Sequence, residues 1–141
     1  MQRPWTGTVP YRDGSDGHHR PYLWLKLRGP HGGPEIPIIG LVDSGADKSV
    51  LPLDYAQLLG YGQTELSSVQ VGQVEGSADG WDAQVPCEAH VVGLESVKFA
   101  IEPLFVATLD ALWGRADFMA TYVVSISEER RELGLHLPEP G

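Results

Sequence analysis

The sequence predicts an all-β domain with one or two short helices. Its 141 residues include 17 glycines and 11 prolines, a density that fits many short strands joined by turns better than a helical bundle. Apolar residues, 42% of the chain, fall in short runs of strand length rather than at helical spacing. One of these runs, residues 36–42, is almost free of polar groups and leads straight into Asp43-Ser44-Gly45, so a buried strand ends in a tight turn that carries a carboxylate.

Bulk properties narrow the function. The length fits a single domain. Charged residues at 21% are too few for a disordered chain of this apolar content. The net charge of −9 repels phosphate backbones and anionic lipid surfaces, so neither nucleic-acid binding nor direct membrane binding is expected. Cys87 is the only cysteine, which rules out an intrachain disulfide and favours a reducing compartment. Residues 1–10 hold no apolar signal core, and Glu102 and Asp110 interrupt the apolar runs, so the expected setting is the cytoplasm.

Each element has its own signal. Residues 1–20 are polar and irregular and read as an arm that gains order only by packing on something else. Residues 22–27 form a strand, residues 28–34 a turn-rich connection, and residues 36–42 the buried strand. Residues 49–52 leave the Asp-Ser-Gly turn and end at a proline. Residues 53–59 then fit a short helix, with Pro52 near its first turn and Gly60 just past its end. Residues 69–71 and 81–92 alternate, and the small, glycine-bearing residues 74–80 between them read as a hairpin tip. Residues 97–106 give one or two strands bent at Pro103. Residues 111–114 approach another glycine, residues 115–120 read as a short helix, and residues 122–126 as a strand. Residues 127–133 are expected to make a helical turn with a solvated charged face, followed by a last strand at 135–137.

Asp43 is the candidate acid or base. Hydrolysis by general acid–base chemistry needs one group to take a proton from water and another to give one up. Two aspartates about 3 Å apart meet that need, because like charges so close do not both ionise and share one proton. The chain carries the motif once.

The sequence from Leu41 to Asp47, apolar-apolar-Asp-Ser-Gly-Ala-Asp, and the downstream Leu112-Trp113-Gly114-Arg115 resemble the two anchor motifs of retropepsin-like aspartic proteases. The resemblance runs over about residues 20–126 in element order. It implies an acid-protease barrel working as a homodimer, with a peptide or protein as substrate and no metal or other cofactor. Asp43 would be the catalytic aspartate, paired with its copy across a twofold axis. Ser44 would bond to the partner's matching loop, and Gly45 would let the two loops approach and offer its carbonyl to substrate. Ala46 would keep the cleft floor small, and Asp47 would bind the substrate backbone and form a partly buried pair with Arg115. Gly114 would let its strand cross under the motif loop. A flap near residues 72–81 would close over the peptide, with Val74, Gly76 and Trp81 as substrate contacts.

Three features depart from the pattern. Glu75 and Asp79 make the flap acidic, where the family is apolar and glycine-rich. Trp113 stands in place of an aliphatic residue, an expected source of crowding. Ala116 separates Arg115 from Asp117. The expected organisation is a partly ordered arm at 1–20, the protease domain at 21–126, and an extension at 127–141 that is a candidate for the dimer interface. The expected activity is aspartic endopeptidase; the alternative is a weak or inactive module of the same fold that dimerises or binds peptides. His18 and His19 lack the partners of a metal site and read as an exposed pair, and Cys87 as a small buried residue.

Overall fold

Strand pairing dominates the chain, as its turn-rich composition predicts. The computed structural model describes residues 5–14, 17–73, 76–107 and 110–137. In chain order the elements are β1 (Trp5–Pro10), β2 (Arg12–Asp13), β3 (His19–Arg20), β4 (Tyr22–Gly29), β5 (Gly32–Val42), β6 (Val50–Pro52), α1 (Asp54–Leu58), a 3₁₀ turn (Gln63–Glu65), β7 (Leu66–Gln73), β8 (Gly76–Ala83), β9 (Cys87–Val91), β10 (Phe99–Ile101), β11 (Leu104–Val106), β12 (Ala111–Trp113), α2 (Phe118–Thr121), β13 (Val123–Ser127) and β14 (Glu132–His136). No helix among the described residues is long and apolar enough to cross a membrane.

Nine strands form one sheet in the order β10-β9-β4-β5-β12-β6-β11-β8-β7. Two of its pairings are parallel, β5 with β12 and β6 with β11. Both bring distant parts of the sequence side by side beneath the Asp43 turn. The core is built from alternate residues of these strands. Leu25, Leu27, Leu51, Ile101, Phe105 and Trp113 are fully buried. Each large apolar side chain so buried stabilises the fold by roughly 1.5–3 kcal/mol relative to exposure.

A second sheet of three strands, in the order β1-β14-β13, joins the two ends of the described chain. Residues 1–20 therefore contain a six-residue strand, where the sequence pointed to an irregular arm. Its regularity comes from β14, whose Leu133 pairs with Val9 and sits in the core. Tyr11, almost fully buried, extends this seam by donating its hydroxyl to Glu128 at 2.8 Å.

Other elements differ from expectation for local reasons. The connection expected at 28–34 is mostly paired strand, and the turn shrinks to Pro30 and His31. The run expected as one strand at 81–92 breaks at Gln84–Pro86, so Trp81 belongs to β8 and Cys87 opens β9. Residues 76–80, expected at a hairpin tip, are strand; the tip residues Val74 and Glu75 lie outside the described residues. The helical turn expected at 127–133 is the tight end of the β13–β14 hairpin, where Ser127 Oγ accepts from Arg130 N at 3.1 Å. Its charged residues stay in solvent, which either conformation allows.

Candidate active site

The two sequence motifs meet through the parallel β5–β12 ladder. Leu41 lies opposite Leu112 and Val42 opposite Trp113, so both strands end at the same level. The ladder continues past the strand end, with Asp43 N donating to Trp113 O at 3.0 Å. The chain then turns back on itself. Asp43 Oδ1 accepts from Gly45 N at 2.8 Å, and Asp43 O accepts from Ala46 N at 3.2 Å. The carboxylate is thus oriented by its own turn, as aspartate in such turns commonly is. Asp43 is half-buried, while Ser44 and Gly45 are exposed.

The second motif braces this turn from below. Arg115 N donates to Ala46 O at 3.0 Å, and Ala116 N to Asp47 O at 2.8 Å. A Cβ at Gly114 would lie 2.5 Å from the carbonyl carbon and oxygen of Lys48 and 2.9 Å from Ala46 O, so only glycine lets the two segments cross here. The guanidinium of Arg115 pairs with the Asp47 carboxylate through one nitrogen. The family resemblance implied a partly buried pair. Both side chains are instead exposed, which makes the pair a weak contributor in a single copy of the chain.

Trp113 does not crowd the core. Its ring lies diagonally across the β5–β12 ladder over Gly40, where an added Cβ would come 2.5 Å from the indole. The indole Nε1 donates to Leu23 O at 3.0 Å, so the ring is fully buried without an orphaned donor.

The structure brings Asp43, Ser44, Gly45, Ala46, Asp47, Gly114 and Arg115 into one cluster. Gly76 and Trp81 lie apart from it on the β7–β8 hairpin. Gly76 is exposed near its end, opposite Gln73. Trp81 is half-buried, pairs with Ser68 and Phe105, and packs on the core. Among the described residues, no group of three or more His, Cys, Asp or Glu side chains is arranged to hold a metal ion.

Four residues near the cluster were not singled out in the sequence as site residues. Ser49 is fully buried, and its hydroxyl links the motifs: it accepts from Gly114 N at 3.1 Å and donates to Asp117 Oδ1 at 2.5 Å. Asp117 also accepts from Ser49 N at 3.2 Å and caps α2 by accepting from Phe118 N at 2.6 Å. Lys48 Nζ reaches Asp82 Oδ1 on β8 at 2.6 Å, tying the motif loop to the base of the hairpin. An aspartate just ahead of a short helix is a capping signal that marks Asp117 in sequence. Nothing local marks the other three.

No family model and no curated protein matches the sequence. Among solved structures, the chain is similar to a retropepsin-like aspartic protease from Rickettsia conorii, at 18% identity over 96% of this chain and 96% of that one, with a TM-score of 0.58. It is also similar to the EIAV protease complexed with the inhibitor HBY-793, at 21% identity over 68% of this chain and 82% of that one, with a TM-score of 0.52. At these identities the likeness is one of fold, and the chain has the retropepsin-like acid-protease fold.

Proposed function

We propose that the chain is an aspartic endopeptidase that hydrolyses peptide bonds as a homodimer, with one Asp43 from each copy activating a shared water. The observation that carries this reading is the placement of Asp43. It stands at the end of β5, whose alternate residues Ile38, Gly40 and Val42 are buried, with one oxygen fixed by Gly45 N at 2.8 Å, beside an exposed Ser-Gly turn. The fold around it is that of aspartic proteases. One copy supplies one carboxylate, and the chemistry needs a base and an acid together. A twofold axis beside the exposed Ser44–Gly45 turn supplies the second.

In this mechanism the ionised Asp43 takes a proton from the water, which attacks the scissile carbonyl. The protonated Asp43 of the other copy donates to the carbonyl oxygen, giving a gem-diol; as the C–N bond breaks, the leaving amine takes the proton drawn from the water, and the diol returns one proton to the pair. Ser44 braces its partner's turn, and Gly45, Ala46 and Asp47 form the floor under the peptide backbone. The β7–β8 hairpin, with Val74, Gly76 and Trp81, closes from above, while Gly114 and Arg115 hold the floor in place. Residues 21–126 make up the catalytic body, and the ends join in the β1-β14-β13 sheet. A cytoplasmic setting fits the single buried Cys87.

Cleavage of an unfolded protein by wild type and Asp43→Asn, alongside solution mass by light scattering, tests the reading. The wild type is expected to cleave with a bell-shaped pH profile, since only the singly protonated pair is active. Asp43→Asn is expected to dimerise and cleave nothing. Equal cleavage by both, or full activity at monomer mass, would overturn the proposal. A second reading, a module that binds peptides with little or no turnover, draws on the hairpin's polar surface. There Gln70 Nε2 donates to Asp79 Oδ1 at 2.6 Å and Ser77 Oγ to Gln70 Oε1 at 3.2 Å. Peptide binding by the wild type with no product formed would select it.

A further inference from the structure

A cavity of about 300 Å³ opens beside the motif loop, walled by Lys48, Ala100, Glu102, Ala116 and Asp117. Asp47 adjoins it: Lys48 follows in the chain, and Asp47 O is bonded to Ala116 N at 2.8 Å. Ala100 and Ala116 project only methyl groups, which leaves the space open.

The three charged walls are not equivalent. Lys48 is committed to Asp82 at 2.6 Å. Asp117 is engaged by Ser49 Oγ, Ser49 N and Phe118 N. Glu102 is exposed, with no ion-pair partner among the described residues. The net charge of the cavity walls is therefore negative, and Glu102 is the carboxylate whose oxygens no protein donor occupies among the described residues.

We propose that this cavity is a side-chain pocket of the substrate cleft that selects a basic residue, lysine or arginine, with Glu102 as the specificity-determining group. The inference rests on the endopeptidase reading, in which Asp47 holds the substrate backbone and the peptide residue seated there faces the cavity. A basic side chain lays its methylene stem along Ala100 and Ala116 and carries its cation to Glu102. Arginine offers Glu102 a fork of two donors. A substrate carboxylate meets like charge at Glu102, and Lys48 can receive it only by leaving Asp82. The Lys48–Asp82 pair thus keeps the protein's own cation from neutralising the pocket.

The test is a matched peptide series differing at one position, with arginine, lysine, norleucine or glutamate. Wild type, Glu102→Gln and Glu102→Lys are assayed for cleavage. Binding of the same peptides is measured on Asp43→Asn, alone and combined with Glu102→Gln. The wild type is expected to prefer arginine and lysine at one subsite, with the difference in KM rather than kcat. Glu102→Gln is expected to lower the arginine-to-norleucine ratio of kcat/KM about fivefold, the scale of a partly exposed ion pair. Glu102→Lys is expected to shift preference toward glutamate. The same ratio in all three chains would overturn the pocket, whether or not they cleave equally well. If nothing is cleaved, basic peptides binding Asp43→Asn more tightly, with the difference lost on adding Glu102→Gln, would uphold the pocket and remove the endopeptidase reading. Cleavage without a basic preference would do the reverse, and neither cleavage nor selective binding would remove both.

Discussion

At the scale of single residues, the motif turn depends on pairs in which one member is small so that the other can be large or close. Gly114 admits the Lys48 carbonyl, and Gly40 admits the Trp113 ring. The second pair is the more informative to test because a large side chain gives way there. Gly40→Ala is expected to cost about 1–3 kcal/mol through overpacking. Trp113→Leu alone leaves a void and an unpaired Leu23 carbonyl, at a cost of about 2–4 kcal/mol. Together they should cost clearly less than the sum, since each change relieves the other. Denaturant midpoints for the two single variants and the double variant check this; strict additivity would mean that Gly40 and Trp113 do not constrain each other.

Among elements, the short helix α2 has a role out of proportion to its four residues. Its cap, Asp117, is also the acceptor for buried Ser49, which in turn receives Gly114 N. Asp117→Ala should remove the cap and leave the Ser49 hydroxyl without its acceptor, costing about 2–3 kcal/mol. Asp117→Asn should retain much of that stability. If thermal melts rank the two variants equally, the carboxylate is not the link. This chain of contacts also marks what can be read from sequence. Strand β5 was legible because its apolar run marks a strand in any context, although only one face, Ile38, Gly40 and Val42, is buried where the run suggested burial on both. The meeting of Asp47 with Arg115 was legible through motif resemblance. Ser49, Lys48 and Asp82 were not, because their roles arise only when segments far apart in sequence are folded together. The same holds for β1: Thr6, Gly7, Thr8 and Pro10 suit a loop equally well, and only pairing with β14 makes them a strand. At residues 128–131 a run of like-patterned charges fits a helical turn and a hairpin end alike, and the β13–β14 ladder decides between them.

For the molecule as a whole, alkaline pH is the informative stress. Burial pushes the Cys87 thiol up to about 11 and the Tyr122 hydroxyl up to about 12, from ordinary values of 9.0 and 10.0. Raised values in the fold mean that the unfolded chain loses these protons first. Their contribution to stability is therefore complete below about pH 9 and is lost as pH rises toward about 12. The melting temperature should be level up to about pH 9 and fall beyond it. The fall should be shallower in Cys87→Ala combined with Tyr122→Phe. An identical fall in that double variant would place the alkaline sensitivity elsewhere, with Tyr61, also raised by burial, the next group to change. Tyr122 has no hydrogen-bond partner for its hydroxyl among the described residues, so Phe at that position should carry no stability loss of its own at neutral pH.

The three-stranded sheet has a consequence for how the protein is made. β14 lies between β1 and β13, so its two neighbours come from opposite ends of the sequence, with Trp5 and Val123 both facing His136. On the ribosome β1 is synthesised well before β14 and must wait, unpaired, until the strands between them have emerged. Ordering of this sheet is therefore completed by β14 rather than spreading from β1. A stop codon ahead of Glu132 would not give a slightly shorter version of this fold. It would release a chain in which β1 and β13 have lost their shared partner, exposed to the proteases that clear unfinished products.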